Sequence, residues 1–316
     1  MPTIKVILNP VSGRGAGQRT AEVIQQTLTE ARATFEIVET TEQRSAVAQA
    51  AQAVREGWDI IAVAGGDGTG NEVLNGIIEA SLGTPTWEAG EPAAGALGLI
   101  PIGTGNDFAW CMGAPIGDVA AACRVLVAAK TRVIDVGRVE DELGNVRYFG
   151  NNFGAGFDAA TTVESYKLRY LRGSLVFLVA VLKTIFLYYK APLVTVRYDG
   201  QEAEGLAKEL PLLMVSVANG RRTGGMFLIA PQAVQDDGLL DLSLARQVSR
   251  LGIFRLIPYF IRGTHATQPT VTVDRTAHIV VASEQGLPVH VDGEIIRTDA
   301  HRLEVSAMPR RLRVVC

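Results

Sequence analysis

Gly65-Gly66-Asp67-Gly68-Thr69 sets one carboxylate inside a run of glycines. Glycines carry no Cβ, so their backbone N–H groups can approach phosphate oxygens closely. A helix that opens at such a turn adds its positive end to the attraction. Asp67 would repel that anion unless a cation or a hydroxyl proton stood between them. The turn therefore points to a metal-phosphate or an acid/base role for Asp67, against the plainer reading of a tight turn whose aspartate caps a helix. Asn9-Pro10-Val11-Ser12-Gly13 has side chains and backbone suited to phosphate, and equally suits a strand-to-helix connection capped by Ser12. Gly103-Thr104-Gly105-Asn106-Asp107 is a third turn of this kind.

Two acidic turns follow later, Asp236-Asp237-Gly238-Leu239-Leu240-Asp241 and Val289-His290-Val291-Asp292-Gly293-Glu294. Magnesium takes oxygen ligands, few from protein and the rest from water and phosphate. A carboxylate beside a substrate hydroxyl can accept its proton during phosphoryl transfer. Asp-Gly is also a strong hairpin signal, and each turn taken alone reads as a hairpin. His265, His278, His290 and His301 lack metal-ligand spacing and read as structural or incidental. Arg221-Arg222 suits phosphate or, more plainly, solvent. Cys111, Cys123 and Cys316 show no CxxC pattern and read as free or buried thiols, in keeping with a reducing cytoplasm.

These residues need elements to position them. Short apolar runs at 3–9, 35–38, 59–64 and 97–101 predict buried strands. Helical patterns from about Thr20, over 43–56, from Asn71 to Ala80 and over 117–129 fall between or after them, and 83–96 reads as a loop. Alternating strands and helices predict an open, mostly parallel α/β sheet with helices on both faces. Ligands bind such sheets beyond the carboxyl ends of the strands, and the three glycine turns fall at three of those ends. After about Val133 the segments become short, β-rich and turn-separated, which predicts an antiparallel sandwich or barrel-like domain interrupted by a helical stretch near 162–189. The division expected is an α/β domain over 1–133, a β-rich domain over 134–305, and a last strand within 306–316 that returns to the first.

Composition narrows the function classes. The chain has 316 residues, 47% of them hydrophobic, and a net charge of -3, which suits two globular cores and no bulk nucleic-acid binding. No GxxxxGK[ST] occurs and no GxGxxG follows the first strand, so neither the P-loop nor the dinucleotide-binding class is supported. Residues 173–189 are apolar, but Lys183 lies inside them and a span wants about 20 apolar residues. They read as a helix packed on protein or touching a membrane surface. The N-terminus reads as a first strand and not as a signal peptide.

Taken in order, Asn9 to Gly13, Gly65 to Thr69 with Asn71-Glu72, Gly103 to Asp107, Asp237-Gly238-Leu239 and Asp292-Gly293-Glu294 resemble the bacterial soluble diacylglycerol kinase family, within the superfamily that includes sphingosine kinases. The match runs over essentially the whole chain. The resemblance implies an α/β nucleotide domain, a C-terminal lipid-substrate β-sandwich and an active site in the cleft between. It places ATP contacts on Asn9, Pro10, Ser12, Gly13, Thr40, Gly66, Asp67, Gly68, Thr69, Asn71, Glu72, Thr104 and Asn106. Thr40 is carried by its spacing before Ala46, where Arg44-Ser45 replace the family's Gly-Asp. Gly70 stands where the family has a larger apolar residue, which would loosen that turn. Magnesium falls to Asp237 with the backbones of Val234 and Leu239, and Asp67, Asp107 and Asp135 complete a water-bridged acidic network. Glu294 matches the family's base, with Asp292 nearby.

The implied reaction is transfer of the ATP γ-phosphoryl group to a lipid hydroxyl, most simply from diacylglycerol to phosphatidic acid. The stretch 168–189, with Tyr188-Tyr189 and the basic flank Lys167, Arg169 and Arg172, is the candidate for lipid or membrane contact. This implies a cytoplasmic protein, peripheral at the inner membrane surface. An exposed sandwich edge offers a route to a homodimer. A sphingoid base or phosphatidylglycerol as acceptor would need the same chemistry. NAD kinase shares GGDG but lacks the DGL and DGE turns in this arrangement. A non-catalytic nucleotide- or lipid-binding sensor of this fold has no need of Asp67, Asp237 and Glu294 together. A membrane-anchored regulator would use 173–189 as a span.

Overall fold

A computed structural model describes residues 1–42, 44–168, 175–187, 191–198 and 209–316. Contacts divide the chain into unit 1, Met1–Val136 with Pro309–Cys316, and unit 2, Gly137–Met308.

Unit 1 alternates strand and helix. Its elements are β1 (Thr3–Leu8), α1 (Ser12–Glu30), β2 (Thr34–Glu39), α2 (Ser45–Arg55), β3 (Ile60–Gly65), α3 (Asp67–Ser81), α4 (Pro85–Glu88), β4 (Ala96–Pro101), α5 (Asp107–Cys111), α6 (Val119–Ala128) and the start of β5 (Thr131–Asp141). The strands β4-β3-β1-β2 lie in that order and are all parallel. All six residues of β3 and of β4 are buried, as a parallel sheet covered on both faces requires. Ile4, Val6, Leu8, Ile60, Ala62 and Ala64 pack with Ile24, Leu28, Cys123 and Leu126 in one core.

Three local differences from the sequence reading have physical reasons. Helix α1 begins at Ser12, not near Thr20: Gly13 and Gly15 take φ of 56° and 83°, so the glycine-rich turn is wound into an irregular helix start. Helix α3 begins at Asp67, which puts the glycine turn itself in the first helical turn. The loop expected at 83–96 holds the short α4, whose Thr84 hydroxyl accepts from Trp87 N–H at 3.3 Å while the Trp87 ring is buried.

Unit 2 is mostly antiparallel. The rest of β5 leads into β6 (Val146–Phe149), β7 (Asn152–Gly156), α7 (Phe157–Tyr166), α8 (Leu175–Leu187), β8 (Leu193–Tyr198), β9 (Leu210–Ala218), β10 (Leu240–Arg246), α9 (Arg250–Arg262), β11 (Val271–Thr276), β12 (His278–Val291) and β13 (Glu294–Val315). The order is β11-β10-β9-β7-β12-β13. Register shifts between Ala282 and Val289 bend β12, so residues 279–282 pair with β8 and residues 289–291 with β7. Phe149, Phe153, Val217, Leu242, Ile279, Val289 and Leu303 fill the core that these layers enclose. The last residues of β13 belong to unit 1, where Arg313 pairs with Ala96 of β4 in parallel.

The helical stretch expected near 162–189 is two helices. Lys183, the cation inside the apolar run, has a partner: Glu164 of α7 is fully buried and sits 2.5 Å from Lys183 and 2.6 Å from Lys167. Burial pushes the Glu164 carboxyl up, and the hydrogen bonds from the two lysines outweigh it, leaving a net downward shift. The described α8 has 13 residues, and no helix among the described residues is long and apolar enough to cross a membrane. Arg169, Arg172, Tyr188 and Tyr189 lie outside the described residues. The sequence reading missed α9. Ser249 caps it by accepting from Gly252 N–H at 3.1 Å, and Gly263 ends it at φ 67°.

Candidate active site

In unit 1 the three glycine turns meet. Asn9 ends β1 with its N–H on the Ala64 carbonyl (2.9 Å). Its side chain donates to Thr69 Oγ1 at 2.8 Å and accepts from Val11 N–H at 3.1 Å, tying the first turn to the second. A Cβ on Gly66 would lie 3.1 Å from Gly103 Cα and 3.7 Å from Ser12 Oγ. One on Gly103 would strike Gly66 Cα, so here the glycines are a packing requirement. Ile102 N–H bonds Gly65 O at 2.8 Å, and Asn106, at φ 52°, donates to Gly103 O at 2.9 Å.

Asp67 reaches from its own helix to another. Its Oδ1 accepts from Phe108 N–H at 3.2 Å, in the first turn of α5. The N-cap of α3 is Gly66, with no side-chain cap. A helix start leaves backbone N–H groups without intrahelical partners, and a capless glycine turn offers them to an anion.

The outlying residues are placed as follows. Glu72 accepts from Arg44 N–H at 3.0 Å and so fixes the start of α2, where Arg44 holds φ 67°. Thr40 follows β2 with its N–H on Leu8 O at 2.9 Å. Thr104 is exposed and Asn71 buried. A Cβ on Gly70 would meet nothing within 4 Å, so space does not demand glycine there. Asp107 and Asp135 are both buried, and Asp135 accepts from Arg310 N–H at 2.7 Å.

In unit 2, Asp292-Gly293 is a two-residue hairpin turn between β12 and β13, with φ of 48° and 83° and with Val291 paired to Glu294. Two positive φ values are what this hairpin type needs and why Asp-Gly suits it. The Asp292 carboxylate is buried. It accepts from the N–H groups of Gly150 (3.0 Å), Asn151 (2.9 Å) and Asn152 (2.8 Å). Glu294, next to it, is half-buried. Tyr166 donates to Gly293 O at 2.6 Å, and its hydroxyl is pushed up first by burial and then by the Glu294 carboxylate beside it. His290, buried to 1% exposure, accepts from Gly293 N–H at Nδ1 (3.3 Å) and stands 3.1 Å from Asp158 through Nε2.

Asp237-Gly238 is not a hairpin. Asp237 accepts from Leu239 N–H at 3.1 Å, an Asx-type turn leading into β10. Its other oxygen pairs with Arg275, whose Nε lies 3.8 Å from Asp241. Burial pushes the Asp241 carboxyl up to about 6; Arg275 opposes this and Asp237 adds to it. Two carboxylates sharing one guanidinium are short of positive charge, and an all-oxygen donor set fits magnesium. Among the described residues no three His, Cys, Asp or Glu side chains stand together as a metal site. Sequence reasoning missed Asp158, Tyr166, Asp241 and Arg275. Asp241 lay in a quoted motif, but the other three come from helices and strands remote from the turns they serve.

An α/β unit with three fused glycine turns at its strand ends, followed by a β-sandwich-like unit carrying DGL and DGE turns, defines a lipid-kinase architecture. Residues 3–139 match the diacylglycerol kinase catalytic domain, and residues 151–316 match the YegS C-terminal NAD kinase beta sandwich-like domain. The chain is 30% identical to a diacylglycerol kinase of Mycobacterium tuberculosis over 99% of its own length and 94% of that protein. It is 28% identical to a diacylglycerol kinase of Bacillus subtilis, over 93% of this chain and 90% of that one. A crystal structure of a Bacillus anthracis diacylglycerol kinase shares the fold with a TM-score of 0.71, at 22% identity, over 99% of this chain and 96% of the other. The chain belongs to the diacylglycerol kinase family. It is a lipid kinase, with ATP and a lipid as its substrates.

Proposed function

We propose that this protein transfers the γ-phosphoryl group of ATP to the free hydroxyl of diacylglycerol, giving phosphatidic acid and ADP. The observation that carries the nucleotide half is the Gly66–Gly103 approach with Ser12 beside it, which joins three glycine turns at the capless start of α3. In this reading Asn9, Pro10, Ser12, Gly13, Thr40, Gly66 to Thr69, Asn71, Glu72, Thr104 and Asn106 hold ATP. The lipid oxygen bonds to the γ-phosphorus, the bond from that phosphorus to the bridging oxygen breaks, and Glu294 takes the hydroxyl proton. Glu294 is half-buried with the Tyr166 hydroxyl bonded to it, and it is the base in this reading because the carboxylate of Asp292 is committed to three backbone N–H groups. Asp292 is then a positioning residue and Asp67 a link between α3 and α5.

Asp237, with Asp241 and the backbones of Val234 and Leu239, would hold magnesium, and Asp107 and Asp135 would join through water. Magnesium, when bound, supplies neutralisation of phosphate charge. The turn amides do the rest by fixing the phosphates before reaction, since the loose transition state gains chiefly from positioning and charge stabilisation.

The same proposal has the protein act in the cytoplasm, peripherally at a membrane. Leu175 and Phe186 of α8 and Leu251 and Tyr259 of α9 are exposed, with Arg255 and Arg262 exposed on α9 beside them. Apolar and cationic side chains together suit an anionic lipid surface. Val273 is exposed on the edge strand β11, where two chains could pair as a homodimer; sedimentation velocity checks this.

The test of the reaction is magnesium-dependent transfer from radiolabelled ATP onto diacylglycerol, monoacylglycerol, ceramide, sphingosine and phosphatidylglycerol in mixed micelles, with Glu294→Gln beside wild type. Labelled phosphatidic acid from wild type alone is expected. Label on another lipid would move the acceptor, and ATP binding with no label on any lipid would favour a sensor.

A further inference from the structure

We propose that Asp158 and His290 form a positioning pair for Glu294, so that a buried histidine serves phosphoryl transfer without touching a substrate. The inference rests on the reading of Glu294 as proton acceptor.

Both ring nitrogens of His290 have a polar neighbour, Nδ1 the Gly293 N–H and Nε2 the Asp158 carboxylate. Nδ1 accepts from Gly293 N–H at 3.3 Å, so it carries no proton. The ring is therefore the neutral Nε2–H tautomer, and Nε2 lies 3.1 Å from Asp158 Oδ2, a charge contact without hydrogen-bond alignment that favours a proton on that nitrogen. Asp158 lies in the first turn of α7, where the positive helix end favours a carboxylate. Gly154 makes the room. It faces His290 in the β7–β12 register, and a Cβ there would strike both Asp158 Oδ2 and His290 Nε2.

The other end of α7 reaches the same residue. Tyr166, its last residue, donates to the Gly293 carbonyl at 2.6 Å. Helix α7 thus bears on Gly293 at its C=O through the Tyr166 hydrogen bond, and at its N–H through His290, which Asp158 contacts from the other side of the ring. Gly293 sits at φ 83°, and the next residue is Glu294. Fixing both backbone groups of Gly293 fixes the direction in which the Glu294 side chain leaves the turn. A histidine buried only for packing would need neither a carboxylate at Nε2 nor an amide at Nδ1. Misplacing a catalytic group by about 1 Å can cost about 100-fold in rate.

The experiment is steady-state kinetics of the full chain in diacylglycerol mixed micelles, with His290→Leu, His290→Asn, Gly154→Ala and Glu294→Gln. Asparagine keeps an acceptor oxygen close to where Nδ1 stands, and leucine keeps only bulk. Gly154→Ala displaces the pair and leaves both of its members in the chain. His290→Leu and Gly154→Ala are expected to lower kcat by about 10- to 100-fold with KM for ATP unchanged, and His290→Asn to recover most of the loss. Imidazole nitrogen shifts of wild type are expected to report the neutral Nε2–H form, which requires no variant to fold. Wild-type kcat in His290→Leu, asparagine no better than leucine, or an Nδ1–H ring would overturn the proposal. Full activity in Glu294→Gln would instead overturn the base assignment itself, while inactive Glu294→Gln beside fully active His290→Leu would sink the positioning pair alone.

Discussion

Asp292→Asn separates a structural aspartate from a chemical one. The wild-type carboxylate takes three backbone N–H donors from Gly150, Asn151 and Asn152, all within 3.0 Å. Asparagine keeps one acceptor oxygen and turns an NH2 group toward one of those donors. Hydrogen bonds to charged groups are worth about 1.5–3 kcal/mol each, and a buried donor left without an acceptor costs about 1–3 kcal/mol. The expected loss is therefore about 2–4 kcal/mol, the sum of one abandoned donor and weaker bonds to the other two. That is a large share of a stability of about 5–15 kcal/mol. Urea unfolding gives the total, and amide hydrogen exchange at residues 150–152 gives its location. Exchange there should quicken far more than in β3, whose six residues are buried in unit 1. Activity should fall in step with the loosened turn and recover partly at lower temperature. Wild-type stability and unchanged exchange in an inactive Asp292→Asn would refute the reasoning and make Asp292 a participant in the chemistry.

Gly103→Ala should raise the dissociation constant for an ATP analogue by about 10-fold or more by calorimetry, because overpacking against the Gly66 backbone costs about 1–3 kcal/mol. Gly70→Ala, where a Cβ meets nothing within 4 Å, should bind the analogue normally, and equal effects of the two would refute the steric argument. Asp241, raised to about 6 by burial, should make folding less favourable as pH climbs from the unfolded value near 3.8 through about 6, because the folded state holds the proton more tightly. In EDTA, Asp241→Asn should therefore gain thermal stability over wild type above pH 6 and match it near pH 4, and a constant difference across that range would count against a raised carboxyl.

The parts of the fold that were legible share one property: their signal is local. The six residues of β3 are an unbroken apolar run because a parallel strand is buried on both faces, and that burial is visible in the letters. The beginning of α1 was not legible, since glycines at 13, 15 and 17 look like a loop. Only the fold shows that Gly17 is there to let the helix reach the Asn9 carbonyl, which a Cβ would strike. Helix α9 was hidden because Gly252 and Pro258 interrupt its pattern, although Ser249 and Gly263 marked its ends. At the candidate site the turns were readable and their supports were not. Asp158, Tyr166 and Arg275 lie far along the chain from the residues they touch, and no spacing rule connects them.

The Asp-Gly turns carry the more general point. A hairpin reading and a functional reading compete on paper for Asp292-Gly293, because the sequence offers one motif and two uses. In the fold they are one arrangement. The positive φ at both residues makes the hairpin, and the same geometry turns the Asp292 carboxylate inward onto three backbone N–H groups. It also frees the two backbone groups of Gly293 for His290 and Tyr166, one residue before Glu294. At Asp237-Gly238 the same two letters give a different result. There Asp237 bonds forward to Leu239 N–H, and its second oxygen meets the guanidinium of Arg275. What separates the two cases is the flanking strand. Val291 pairs with Glu294, His290 with Ile295 and Val289 with Arg297 directly across the first turn, whereas among the described residues no strand pairs with Gln235 to Leu239.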